Sequence, residues 1–183
     1  MADDTPLHAA LAVIQARGAI GERSLSDAVA HADRFVALVP SDARTLVDLG
    51  SGGGLPALVI AFRRPDLDVT MVERRSARAD LLLRAVAALG LGDRATVLAT
   101  DVAEVCIRRP RVFDVVTARS FADPVVTAGF IDQLLNDHGV GLVSEPPIDR
   151  TGAWGLALEG DVDLVDGGVE QGIRRLRRPL ASL

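Results

Sequence analysis

The stretch richest in binding chemistry is Asp48-Leu49-Gly50-Ser51-Gly52-Gly53-Gly54-Leu55. Alternating glycines there follow a short apolar run and precede a longer one. Such a turn needs positive φ at some positions, and its bare backbone lets a ligand come close. Free N–H groups at the start of the next helix would face an anionic part of that ligand. Glu73 closes the second apolar run, where a carboxylate reaches the ribose hydroxyls of a nucleoside held over the glycine loop. Asp101 follows the third run, placed to meet an adenine amino group. No nucleophile or metal set accompanies these groups. His8, His31 and His138 are far apart with no metal-ligand spacing. Cys106, flanked by Val105 and Ile107, reads as core.

The elements that must position these residues follow from periodicity. Residues 6 to 39 read as helical, with a break at Gly18 to Gly21 and a cap at Ser24 or Ser26. From Thr45 onward short apolar runs alternate with amphipathic ones. Strands are expected at Thr45–Leu49, Val69–Glu73, Ala95–Ala99, Val112–Ala118 and Val140–Ser144. Helices are expected at Leu55–Phe62, Ser76–Leu89 and Asp123–Asn136. This alternation predicts an α/β fold, a mostly parallel sheet with helices on both faces and a short N-terminal helical extension. Asp161–Val165 and Gly172–Leu176 are expected to pair as an edge hairpin around Asp166-Gly167-Gly168. One domain is expected over 1–183: extension 1–40, core 44–145, C-terminal edge segment 146–183.

Composition narrows the function classes. With 49% hydrophobic and 25% charged residues the chain is globular. No apolar run reaches the roughly 18 residues that span a bilayer. The acidic start, Met1-Ala2-Asp3-Asp4, shows no basic signal region. One cysteine fits a reducing cytoplasm. The formal net charge of −5 disfavours general affinity for nucleic acid, although it averages over unevenly placed cations and does not exclude a structured RNA. All 20 basic residues are arginine, so every cation is a planar guanidinium that can grip carboxylate or phosphate in a fork.

The dinucleotide fingerprint G-x-G-x-x-G fails here, because Leu55 or Ala57 occupies its last glycine position. A P-loop fails for want of lysine. The pattern Asp48-x-Gly50-x-Gly52-x-Gly54 instead resembles motif I of class I S-adenosylmethionine (SAM) methyltransferases. Adding Leu55-Pro56, Arg64-Pro65-Asp66-Leu67 and Phe113-Asp114-Val115-Val116-Thr117-Ala118-Arg119-Ser120-Phe121, the chain resembles the RsmG (GidB) family over roughly residues 18 to 135. The resemblance implies a SAM-dependent methyltransferase acting on guanine N7 in 16S rRNA of the small ribosomal subunit. It implies SAM contacts at Gly50, Leu55, the backbone of Val102-Ala103, and Arg119. With the loop and the strand-end acids, the expected cofactor set is Asp48, Gly50, Ser51, Gly52, Gly54, Leu55, Glu73, Asp101, Val102, Ala103 and Arg119. No catalytic side chain, metal or membrane is expected, and a monomer is.

Three departures from the family stand out. Ser144-Glu145-Pro146-Pro147 occupies the place of a Lys-Gly after the fifth strand. The family's Arg-His pair in the N-terminal helix is missing, with Asp27-Ala28 roughly in its place and His31 three residues later, and the family's acidic pair after the third strand survives only as Ala103-Glu104. They keep open a paralogue acting on a non-rRNA or small-molecule substrate, and a non-catalytic SAM- or RNA-binding module. Trp154 reads as packing or as a base-stacking ring. Arg74, Arg75, Arg78 and Arg84 read as a solvated face or an RNA-touching edge. Arg174, Arg175, Arg177 and Arg178 read as a phosphate-binding tail or as a strand with exposed arginines.

Overall fold

The computed structural model describes residues 3–22 and 24–179. Its strands are β1 (Thr45–Leu49), β2 (Asp68–Val72), β3 (Ala95–Leu98), β4 (Phe113–Ala118), β5 (Leu135–Ser144), β6 (Val165–Glu170) and β7 (Ile173–Arg177). They form one sheet in the order β3-β2-β1-β4-β5-β7-β6. β1 to β5 run parallel, and β7 enters antiparallel between β5 and β6.

Parallel neighbours need crossovers, and helices supply them. α1 (Thr5–Ala16), α2 (Leu25–Leu38), α3 (Ala57–Arg63) and α4 (Ser76–Ala88) cover one face. α5 (Val102–Arg108), α6 (Pro124–Leu134) and α7 (Thr151–Leu158) cover the other. Side chains of the central strands alternate between these layers. Leu46 and Val115 join the first core, while Val47, Leu49, Val116 and Ala118 join the second. With both faces covered, the strands can be apolar almost throughout. Leu7, Leu11 and Phe35 are fully buried against the first layer, each contributing about 1.5–3 kcal/mol.

The structure departs from expectation in four places. α5 and α7 were not expected. α7 holds Gly152 and Gly155, each costing about 1 kcal/mol against alanine in a helix, yet it buries Trp154 in the second core. α6 ends at Leu134, and the chain passes directly into β5, which begins five residues earlier than expected. The hairpin turns at Gln171-Gly172, where φ is 53° and 77°. Asp166-Gly167-Gly168 instead lies inside β6, where the register against β7 shifts between Asp166 and Val169.

Three of the four C-terminal arginines, Arg174, Arg175 and Arg178, are tied to carboxylates, and Arg177 is exposed. Arg174 is buried and pairs with Glu145 at 2.8 Å and with Asp166. Arg178 is buried and pairs with Asp132 at 2.9 Å and Asp163 at 3.3 Å. Cys106 sits in the second core, and burial pushes its thiol up to about 11.

Candidate functional site

Strand order reverses between β1 and β4, so a crevice opens there beyond the carboxyl ends of the strands. β1 carries Asp48 to its floor. The side chain is 1% exposed. Thr117, its register partner on β4, donates its hydroxyl to Oδ1 at 2.6 Å. Oδ2 is buried and has no hydrogen-bond partner among the described residues. Burial pushes this carboxyl up to about 6, against the opposing pull of Thr117, Ser51 and the Arg119 guanidinium.

After Leu49 the backbone turns through Gly50 and Gly52, with φ of 62° and 54°. L side chains pay for that region sterically, which is why glycine stands there. A Cβ on Gly50 would also come within 2.8 Å of the Phe121 ring. Two backbone donors hold the turn against the end of β2, and a third fixes Glu73 itself. Ser51 N–H donates to the Val72 carbonyl at 2.8 Å. Gly52 N–H donates to Glu73 Oε2 at 2.9 Å, and Arg75 N–H donates to Glu73 Oε1 at 2.8 Å. Glu73 thus clamps two loops together. A carboxylate offers about four lone-pair sites, so each oxygen still has one for a ligand hydroxyl.

Three cavities meet around Ser120, which holds a positive φ of 51°. For a non-glycine residue that is strained backbone, of the kind found at functional sites. The first cavity, of roughly 440 Å³, is bordered by Gly50, Glu73, Asp101, Val102, Phe121 and Phe130, with Arg74, Arg75 and Arg78 also lining it. The second, of roughly 280 Å³, lies over Gly50 to Gly53 and Leu55, with Ile20, Arg78 and Arg119 around it. The third, of roughly 500 Å³, runs from Arg119 to the segment Val143–Pro147 and is walled by His31 and Arg34 of α2. There His31 Nε2 lies 3.1 Å from Ser144 Oγ.

The crevice therefore assembles most of the expected set. Gly50, Glu73, Asp101 and Val102 line the first cavity, and Gly50, Ser51, Gly52, Leu55 and Arg119 line the second. Three expected residues stand elsewhere. Asp48 lies beneath the loop. Gly54 packs on helices instead, since a Cβ there would press into Leu58 and come within 2.9 Å of Leu82. Ala103 is exposed on α5, its N–H bonded to the Asp101 carboxylate at 3.0 Å.

Sequence reasoning missed Ser120, Phe121, Phe130 and Arg78 as lining residues. Ser120 and Phe121 directly follow Arg119, so their place after β4 was the available signal. Arg78 looked like any arginine on an exposed helix. Glu145, expected to face the substrate as an anion, borders the third cavity while bonded to Arg174 at 2.8 Å. Trp154 is packing: the Arg174 guanidinium carbon lies 5.4 Å from its ring centre.

The residues fit a nucleoside ligand. Glu73 retains acceptor sites for ribose hydroxyls, and one Asp101 oxygen is left over for an amino donor. Gly52 leaves open space above it, the nearest side-chain atom to a Cβ being Arg78 Nη1 at 3.8 Å. The orphaned Asp48 Oδ2 supplies buried negative character beneath the loop. Among the described residues no group of three His, Cys, Asp or Glu side chains is placed to hold a metal. No helix there is long and apolar enough to cross a membrane.

Comparison with known proteins points the same way. The family described as GidB, rRNA small subunit methyltransferase G, matches residues 8–144. A ribosomal RNA small subunit methyltransferase G of Acidothermus cellulolyticus is 38% identical over 128 residues, covering 68% of this chain and 55% of that protein. Its namesake in a Nocardioides species is 43% identical over 122 residues, covering 67% and 42%. The chain thus spans about half the length of the curated relatives it matches. Among solved structures, the SAH-bound Podospora anserina methyltransferase PaMTH1 superposes with a TM-score of 0.67 at 15% identity, covering 96% of this chain and 88% of that one. Cofactor-bound Rv0187 from MTB gives 0.65 at 19%, covering 95% and 88%. At such identities these two speak for the fold.

Proposed function

Because this chain belongs to the rRNA small subunit methyltransferase G family, GidB, we propose that it transfers a methyl group from S-adenosylmethionine to N7 of a guanine in 16S rRNA, acting in the cytoplasm as a monomer without a metal. The observation that carries the reading is the Glu73 carboxylate tied to Gly52 at the switch point of the sheet, beside two further cavities that share Ser120 and Arg119.

The cofactor would supply an electrophilic methyl group. Glu73 would take the ribose hydroxyls, with Asp101 and Val102 along the adenine edge. Gly50 to Gly52 and Arg119 would hold the amino-acid end, the guanidinium matching its carboxylate. Guanine N7 carries a lone pair and no proton, so attack needs no general base. What remains for this chain is alignment of the nucleophile and exclusion of water. Phe121 and Phe130 serve that purpose, their rings 5.8 Å apart beside the first cavity. The RNA reading gains from Glu145: it is tied to Arg174, a guanidinium it shares with Asp166, so it repels phosphate less than a free carboxylate would.

Calorimetry with SAM and mapping of N7-methylguanosine in 16S rRNA, with and without the gene, test both halves. Saturable SAM binding and loss of one modified guanine are expected. Gly52→Asp should abolish binding, because it adds bulk and a second carboxylate beside Glu73. An unchanged modification map with SAM binding intact removes the rRNA assignment. Absence of SAM binding removes the cofactor with it.

A further inference from the structure

Two arginines at the crevice lie outside the proposed cofactor contacts and are bound to no carboxylate among the described residues. Arg34 projects from α2 in the first helical layer, and Arg150 stands at the start of α7 in the second. Both border the 500 Å³ cavity. Arg34 is exposed and makes one hydrogen bond, at 3.3 Å, to the Gln171 carbonyl. Arg150 is half-buried, its guanidinium carbon 5.9 Å from the Trp154 ring centre. Neither forms an ion pair among the described residues.

Their setting is selective for an anion with an apolar, flat companion. The cavity holds two acids, Asp27 and Glu145, and the latter is bound to Arg174. Phe121, Pro146 and Pro147 line the same cavity and give it apolar surface on which a ring can pack. A nucleotide in a strand has this shape: a planar base with a phosphate on each side. A base that must meet a buried methyl donor has to leave its stack, and the phosphates on either side of it are then the handles by which the protein can hold the strand.

We propose that Arg34 and Arg150 form a two-sided phosphate clamp, one arm from each helical layer, gripping the backbone on either side of an unpaired nucleotide whose base enters beside Phe121. The clamp rests on the rRNA reading above and adds the residues that hold the strand.

Arg34→Gln, Arg150→Gln and the double variant are to be compared with wild type for binding to protein-free small-subunit rRNA over a series of salt concentrations. Each substitution is expected to reduce the slope of log affinity against log salt by about 0.7, the value for one phosphate contact on a single strand. KM for the RNA should rise several-fold with kcat and SAM affinity near wild type. Arg34→Lys and Arg150→Lys should restore most of the slope, because phosphate contact needs charge more than fork geometry. Arg177→Gln, exposed outside the cavities, should change nothing. Should Arg150→Gln unfold through loss of its contact with Trp154, Arg34→Gln alone carries the test. Wild-type slopes in both Gln variants, with RNA binding present, overturn the clamp and leave the rRNA reading standing. A wild-type protein that binds SAM and no small-subunit RNA overturns both.

Discussion

Burial of Asp48 with one oxygen unpartnered raises its carboxyl from 3.8 to about 6. The folded state therefore holds the proton more tightly than the unfolded chain between those values. The group costs no stability below about pH 4, and the cost grows as pH rises through the window, levelling above pH 6. A shift of this size corresponds to about 3 kcal/mol. Asp48→Asn keeps an acceptor for the Thr117 hydroxyl and removes the charge. Thermal melts should show the variant gaining on wild type as pH climbs from 4 to 7, and an equal difference at both ends would refute the burial account. Such a penalty at the base of a binding loop belongs with residues whose electrostatics serve a ligand. Glycines at the loop divide by role: Gly50 and Gly52 supply conformation and access, Gly53 admits Ala19 and Ile20, and Gly54 admits Leu58.

At the scale of elements, the edge hairpin answers the question raised by Glu145. In the sheet Ser144 pairs with Ile173 across β5 and β7, which brings Glu145 beside Arg174. Glu145→Lys, which restores the cation usual in the family, should place two buried positive charges together and strip the Arg174 Nε of its carboxylate partner. A loss of about 3–5 kcal/mol is expected, as for breaking a buried pair, with detachment of β6 and β7 visible as fast amide exchange. Unchanged stability in chemical denaturation would mean that the pair is idle. Such pairings join residues far apart in the chain, so they were illegible in the sequence, where the four arginines read equally well as a tail. The parallel strands were legible because two-sided burial writes itself as unbroken apolar runs: Thr45–Leu49 appears as expected. α7 was hidden by its glycines. The hairpin turn was misread because Gly167-Gly168 is the commoner turn signal; Gly168 does take a positive φ of 85°, but at an irregularity inside β6, and the chain reverses at Gln171-Gly172. Of the candidate site, the loop and strand-end acids that border its cavities could be read; the proposed clamp, Arg34 and Arg150, could not, because only the fold brings α2 and α7 to one cavity.

For the molecule as a whole, the net charge of −5 conceals a division of labour. Arg174, Arg175 and Arg178 at the sheet's far edge are bound to carboxylates, while Arg34, Arg74, Arg75, Arg78 and Arg150 surround the crevice without ion pairs among the described residues. The two N-terminal helices serve more than cover. They bury Leu7, Leu11, Ile14 and Phe35 in the first core, and their connection contacts the glycine loop, where a Cβ on Gly53 would come within 2.7 Å of the Ala19 carbonyl. A chain starting at Asp42 should therefore lose both cooperative thermal unfolding and SAM binding, and a sharp transition in it would show the helices to be dispensable. The Phe121 ring over Gly50 has a consequence for biosynthesis. The glycine loop leaves the ribosome well before the segment that roofs it, and β1 must wait for β4 to become an interior strand. At the proposed site cofactor would not act as a folding template for the early chain: the crevice gains a roof only after residue 121 has emerged and docked, so ligand would reward the finished topology.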